Sequence, residues 1–418
     1  MNNRAEINQN AADSQAIRPW SSLLIRDFRL LWTASVLTSL AVQIRNVSNL
    51  YQVYQLSGSA FMLGLTGFLE TLPFIVFGLF AGAVADAFDR KKVLLLTMVL
   101  QLIPGVAMAL LTHTGIVQVW HIYILGFFGA FVDVFNWPAR SALVPRLVPP
   151  GLMMNAVTIN STITQLSFLV GPTLAGFSID HTGLVLTYAI STLLLIPAIA
   201  SILSLRSSGK VEGAKRRVNL RSMVEGVEFV WIQRIILSLF VLDFGVTLVG
   251  FYRPILPIFA ADVFNMGASG LGLLYAAPSA GSLLGATALL MAGDIKHKGI
   301  AVVMAAVGFA ASLALLGISK WFWLAVPSVI LLGITDSVSV AIRRTVVQLL
   351  APNEMLGRAN SLMVVFAQTT NGLGALLAGV AAQFMGAPNS LLVGSGLCFL
   401  MILATCVAIP QLWRYRSD

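Results

Sequence analysis

Apolar stretches of about 18 to 25 residues, the length that crosses a bilayer as a helix, recur along this chain from end to end, and nothing else in it constrains the fold as much. Twelve can be counted. The first six fall at Leu30 to Tyr51, Phe61 to Ala85, Val93 to Thr112, Val119 to Trp137, Leu152 to Ile179 and Leu184 to Leu205. The second six fall at Ile235 to Phe264, Leu271 to Ala292, Ile300 to Ile318, Trp321 to Val340, Asn360 to Phe384 and Ser390 to Leu412. Lipid offers backbone N–H and C=O groups no water, so runs of this kind are viable as helices, and the expected fold is an all-α membrane protein. Composition agrees: of 418 residues, 57% are hydrophobic and 10% charged, well under half the roughly 25% charge of soluble domains.

The net charge of +9 would suit nucleic acid only if the cations formed a face on a folded domain. Here they sit in short gaps between apolar runs, so no nucleic-acid partner is expected and the cations act as topology signals. They are concentrated in the N-terminal tail, Arg90-Lys91-Lys92, Arg140 and Arg146, the stretch from Arg206 to Arg234, Lys296 and Lys298, Arg343, Arg344 and Arg358, and Arg414 and Arg416, with Lys320 opposite them. Short loops rich in Lys and Arg stay in the cytoplasm, and an even number of spans puts both termini there, in a bacterial-type inner membrane. The expected organisation is a cytoplasmic tail at 1–29, a six-helix half at 30–205, a basic cytoplasmic linker at 206–234, a second half at 235–412 and a tail at 413–418. Within the linker, Leu220 to Trp231 has apolar residues at helical spacing, which suits a helix lying on the lipid surface. No signal peptide is expected, since the first 29 residues are polar and the run after them is long enough to stay in the membrane.

Residues for enzyme chemistry are missing from this pattern. His113, His121, His181 and His297 are scattered, without metal-ligand spacing. Cys398 and Cys406 stand eight positions apart, about 12 Å along a helix, beyond disulfide reach. With no phosphate-binding loop or nucleophile elbow, no enzyme, cofactor or metal is expected, and energy for any transport should come from an ion gradient, with the proton as default. The expected partners are a small-molecule substrate, the proton and membrane lipid, with the chain a monomer.

The chain also repeats itself. An offset of 203 places Asp133 on Asp336, Arg140 on Arg343, Pro149 on Pro352, Gln165 on Gln368 and Gly176 on Gly379, and an offset of 208 places Arg45 on Arg253, Gly64 on Gly272 and Asp86 on Asp294. Two parallel six-helix halves are how alternating-access transporters build a midplane site between repeats.

Gly82-Ala-Val-Ala-Asp86-Ala-Phe-Asp89-Arg90-Lys91-Lys92, between the second and third runs, resembles the signature loop of the major facilitator superfamily, Gly-x-x-x-Asp-Arg-x-Gly-Arg-Arg, departing at Ala87 and Asp89. Trp137-Pro138-Ala139-Arg140-Ser-Ala-Leu-Val-Pro145-Arg-Leu-Val-Pro149 is similar to a run of the subfamily that contains the enterobactin exporter and macrolide efflux proteins. The resemblance implies the major facilitator fold, twelve transmembrane helices in two pseudo-symmetric halves, and export of a bulky amphipathic molecule. A siderophore is the first substrate class; a macrolide or multidrug efflux antiporter is the alternative, and a receptor or lipid-handling protein without coupled flux a remote one. It also implies that Asp86, Arg90 and Lys91 latch the halves together, the carboxylate resting at the N-terminus of the eleventh helix, where it gains up to about 1 kcal/mol. Gly171-Pro172-Thr-Leu-Ala-Gly176 resembles part of a Gly-rich antiporter motif, in which small residues allow close helix approach and Pro bends the helix.

Ionisable residues inside spans are costly, roughly 2.5 to 3.5 kcal/mol each on insertion scales, and so are candidates for function. Arg45 and Arg253, repeat mates, are expected to bind anionic substrate groups, since an arginine fork matches carboxylates or catecholates; an internal ion pair with Glu70 or Asp243 is the equal alternative. Gln43 and Asn49 lie on polar stripes of the first span, and the mates Gln165 and Gln368 are expected to hydrogen-bond substrate from both halves. Glu70 and Asp243 are candidates for proton coupling, because a carboxylate withdrawn from water can exchange protons near neutral pH. Asp133 with Arg140, and Asp336 with Arg343, share helix faces seven positions apart and are expected to build an inner gate. Within the fourth span itself, only Asp133 and His121 are counted as ionisable.

Overall fold

A computed structural model describes residues 20–207, 231–293 and 295–414, with the backbone alone at 79, 83, 86, 353–362, 412 and 414. The amphipathic stretch Leu220 to Trp231, apart from Trp231, lies outside the described residues, as do Asp294 and most of both tails. So does the side chain of Asp86.

The first four spans are separate helices: α1 (Arg26–Ser57), α2 (Ala60–Ala87), α3 (Arg90–His113) and α4 (Val119–Leu147). Their joints are short and capped. Gly58 ends α1 in the left-handed region, φ 58°, where a residue without Cβ is unstrained. Asp89, one of the two departures from the signature loop, starts α3 by accepting from the N–H groups of Lys91 and Lys92 at 2.9 and 3.3 Å, an ordinary N-cap. Next comes α5 (Met153–Leu193), broken at Gly183 where φ is 80° and ψ 171°, with α6 (Leu195–Leu203) continuing its second limb. The fifth and sixth spans are thus two helices joined directly at the non-helical Gly183.

In the C-terminal half, α7 (Arg234–Val249) stops well short of its expected end at Phe264. Gly250 is packed so closely that a Cβ there would lie 2.7 Å from the Val246 carbonyl oxygen. Pro254 and Pro257 then remove two donors the helix would need. The chain passes through a 3-10 turn at Arg253–Ile255 and a π turn at Phe259–Val263 before α8 (Gly267–Ala292). The remaining helices are α9 (Lys298–Ile318), α10 (Phe322–Leu350), α11 (Asn353–Met385) and α12 (Ala387–Ala408).

Ten described segments are long and apolar enough to cross a membrane, one of them the 54-residue stretch that holds both the fifth and sixth spans. α1 is not among them, because its middle is polar. It is sheltered by packing instead: Ser35, Thr38 and Ser48 donate to carbonyls one turn earlier at 2.7 to 2.8 Å, and all three are buried. Two expected limits change. α4 and α10 run beyond Trp137 and Val340, to Leu147 and Leu350, so Arg140 and Arg343 stand inside helices and are buried rather than in loops. The fourth helix therefore does contain a buried arginine.

The halves meet along two crossings, α2 with α11 and α5 with α8. Glycines make each crossing. A Cβ on Gly64 would lie 2.7 Å from the Gly379 Cα, and one on Gly176 would lie 3.0 Å from the Gly272 Cα, so the backbones touch. Gly64 answers to Gly272, and Gly176 to Gly379, in the internal repeat. Both crossings lie toward the cation-poor end of the bundle, opposite the end where α1 begins and α12 finishes.

Candidate functional site

Next to the crossings, the halves are clasped by polar contacts that obey the same repeat. On α5, Asp180 accepts from the N–H groups of Ala268 and Ser269 at 3.1 and 2.7 Å, capping α8 from the other half. On α11, Gln383 accepts from the Phe61 N–H at 3.2 Å and from the Ser59 hydroxyl at 2.9 Å, capping α2. Asp180 is the mate of Gln383 by the offset of 203, and Phe61 the mate of Ser269 by 208. Between the two clasps the Tyr54 hydroxyl hydrogen-bonds Asp262. These two residues are mates of one another at offset 208, and mates that touch lie on the pseudo-twofold axis. Sequence reasoning missed this set, although its repeat spacing was available to find it.

On the cation-rich side of the clasps lies a cavity of about 440 Å³ between the halves, within the size range of small-molecule sites. From the N-terminal half it is lined by Thr38, Ser39, Gln43 and Asn46 of α1, Glu70, Thr71 and Phe74 of α2, Asp133, Asn136, Trp137 and Arg140 of α4, and Thr164, Ser167, Phe168 and Pro172 of α5. From the C-terminal half come Phe251, Arg253 and Pro254, Tyr275 of α8, and Gln368 and Asn371 of α11. The break after α7 is what brings Arg253 in. Its carbonyl accepts from the Tyr275 hydroxyl at 2.7 Å, and its guanidinium stands 5.9 Å from the centre of the Phe168 ring across the interface, within cation–π range.

The expected substrate residues divide. Gln43, Arg253 and Gln368 line the cavity, whereas Arg45, Asn49 and Gln165 are not on its wall. Arg45 is turned into its own half, donating to the Gln101 side chain at 2.6 Å and its carbonyl at 3.4 Å; among the described residues it makes no ion pair with Glu70 or Asp243. Asn49 and Gln52 both accept from the buried Tyr188 hydroxyl, at 3.1 and 2.9 Å. Of the two polar stripes on α1, the one through Ser39, Gln43 and Asn46 faces the cavity. The one through Arg45, Asn49 and Gln52 braces the bundle.

Glu70 lines the cavity and also a side recess of about 80 Å³, which it shares with Arg45, Asn46 and Asp133. Asn49 donates to its carboxylate at 3.5 Å. Asp243 is placed differently: it is ion-paired with Arg343 in a separate pocket of about 30 Å³ that also contains Asp336. The two Asp–Arg helix faces are thus unlike. Arg140 has Asp133 as its electrostatic neighbour, while Arg343 pairs with Asp243 on α7 and Asp336 has Arg253 as its electrostatic neighbour.

In the signature loop, Lys91 donates to the carbonyls of Leu203 and Leu205 at 3.1 and 2.6 Å, capping the end of α6 within its own half, and Arg90 reaches the Ala85 carbonyl at 3.3 Å. Gly171 and Pro172 lie where α5 passes the cavity. A Cβ on Gly171 would be 2.6 Å from the Gln43 Cβ, so the small residue lets α1 and α5 close on each other.

Residues 17–414 match the model of a family described as transmembrane secretion effector. The chain is 26% identical over 397 residues to the enterobactin exporter EntS of Shigella boydii serotype 4 and to that of Escherichia coli O1:K1, with 93% of each chain covered. Among solved structures, a bacterial homologue of the human lysosomal transporter Spinster superposes with a TM-score of 0.73 at 14% identity, covering 94% of this chain and 98% of that one. A peptide-transporter family (POT) member superposes with a TM-score of 0.75 at 12% identity, covering 93% and 96%. At these identities the structures speak for the fold.

Proposed function

The chain belongs to the transmembrane secretion effector family of the major facilitator superfamily, and from that membership we propose that it exports a siderophore, a bulky oxygen-rich molecule, by alternating access driven by the proton gradient. The observation that carries this reading is the cavity between the halves, which combines two arginines, two carboxylates and aromatic walls and is clasped shut at the cation-poor end. Arg253 supplies a fork for catecholate or carboxylate oxygens. Phe74, Trp137, Phe168 and Tyr275 offer faces on which rings can stack.

Glu70 is the proton carrier in this scheme. It stands between cavity and recess, so its charge is felt by whatever occupies the cavity, whereas Asp243 is held by Arg343. The cation distribution puts both termini, and the cation-rich end, in the cytoplasm. The clasped state is then the one that loads substrate from inside, and the clasps must release for discharge. The chain works as a monomer, with lipid around its apolar belt.

Aromatic walls also suit a macrolide-like drug, the second reading. Deleting the gene under iron limitation separates the two. Siderophore accumulating in the cells and lost from the medium is the expected result; unchanged siderophore export with new sensitivity to a hydrophobic antibiotic would replace the first reading by the second.

A further inference from the structure

The four arginines inside the bundle are two pairs of mates, Arg45 with Arg253 and Arg140 with Arg343, but the fold uses them diagonally. Arg253 and Arg140 line the central cavity. Arg45 is committed to Gln101, and Arg343 to Asp243 and the Ser339 carbonyl. One position accounts for the difference on the α4 side. Asp243, which neutralises Arg343, answers at offset 208 to Ser35, whose hydroxyl is already given to the Leu31 carbonyl at 2.7 Å. At that position the N-terminal half has no acid to pair with Arg140, whose electrostatic neighbour is Asp133 on its own helix.

Arg140 is 7% exposed, and its Nε donates to no acceptor. Ser167, 1% exposed, has the other buried side-chain polar atom without a partner among the described residues. Both line the same cavity, Arg140 from α4 and Ser167 from α5. Native interiors leave few such groups unmade, and each calls for a partner. Across the cavity stands Arg253, from the other half.

We infer that Arg140 and Arg253 are the two ends of an oxyanion clamp, one arginine from each half, which takes a ligand bearing two separated acidic oxygen groups, with the Ser167 hydroxyl as a further contact. Such a ligand ties the halves together, so binding itself favours closure of the cation-rich end. A ligand with one acidic group reaches one half at a time. The clamp deepens the siderophore reading and rests on it for the choice of catecholate as the acidic group.

The test uses the purified full chain in detergent and two probes, a compound with two catechol rings on a flexible linker and its single-ring counterpart, with affinity read by calorimetry. The wild type should favour the two-ring probe, and Arg140→Gln and Arg253→Gln should each weaken its binding by about tenfold or more, the usual weight of a charge-assisted hydrogen bond, while changing single-ring binding by about twofold or less. Arg140→Lys, which keeps the charge but lacks the Nε donor, should lose part of the two-ring preference, and it decides the matter if Arg140→Gln does not fold. Two-ring binding unchanged in Arg140→Lys and Arg140→Gln would overturn the clamp. So would a wild type that does not distinguish the probes. Because the readout is binding, a chain that shows the two-ring preference yet exports no siderophore from cells loses the export reading and keeps the clamp.

Discussion

Arg45 and Gln43 lie two positions apart on one helix and end in different worlds, the first in a bundle interior, the second on the cavity. Each residue turns a helix by 100°, since 3.6 make a turn, so which stripe of a polar helix faces substrate depends on a rotation that sequence leaves open. That is why the intramembrane ionisable residues were legible as a set while their partners were not. Glu70 belongs to that set, a carboxylate near the middle of an otherwise apolar span, and its partner Asn49 was not legible in the sequence. Its role makes a direct prediction. In proteoliposomes, Glu70→Gln should abolish substrate flux driven by an imposed pH gradient while leaving equilibrium binding within about threefold, since the amide keeps the shape and the hydrogen bond to Asn49 but cannot carry the proton. Gradient-driven flux persisting in this variant would move coupling to another carboxylate, with Asp133, on the same recess, next in line.

The elements follow from local chemistry more closely than the site does. Apolar length marks most of the helices, α1 with its polar middle being the exception, and the caps at Asp89 and Gly58 follow ordinary preferences. What length and composition could not show is where a run breaks: α7 ends at Gly250, ahead of Pro254 and Pro257, and the arginine at the break becomes a cavity residue. The glycine crossings are legible only as a repeat, yet they carry the closest backbone contacts between the halves. A side chain at Gly64 would meet the backbone of α11, not a flexible group that can yield. Overpacking of this kind costs about 1–3 kcal/mol, set against contacts made only in the clasped state. Gly64→Leu should therefore shift the protein by about fivefold or more toward a form open at the cation-poor end. With Cys398 and Cys406 replaced by alanine and a reporter cysteine at Ser269, the variant should label correspondingly faster with a membrane-impermeant maleimide. An unchanged labelling rate would mean that the crossing yields without opening.

At the scale of the molecule, duplication explains both what is symmetric and what is not. The clasps, Asp180 to α8 and Gln383 to α2, are the same contact made twice, and Tyr54 with Asp262 marks the axis relating them. In the alternating-access cycle proposed here, such a gate would open by rocking one half against the other, with both clasps and the axial pair releasing together. The cavity behind it has diverged: one acid, present as Asp243 and replaced by Ser35 in the other half, leaves different arginines facing the centre. A gate has to fit itself, whereas a site has to fit a ligand without twofold symmetry. The axial pair supplies the sharpest test of the gate. Tyr54→Cys with Asp262→Cys, in a background without Cys398 and Cys406, places a thiol on each half where they meet, and because the tyrosine ring separates the two side chains beyond disulfide reach, bridging them with a short reducible bis-methanethiosulfonate cross-linker should lock the cation-poor end. Locked protein should still bind substrate with near-unchanged affinity but lose transport by about tenfold or more, with a reductant restoring it, because the cavity can load but not discharge. Full transport after complete cross-linking would show that this end does not part during the cycle, and that discharge takes a path other than separation of the halves along their axis.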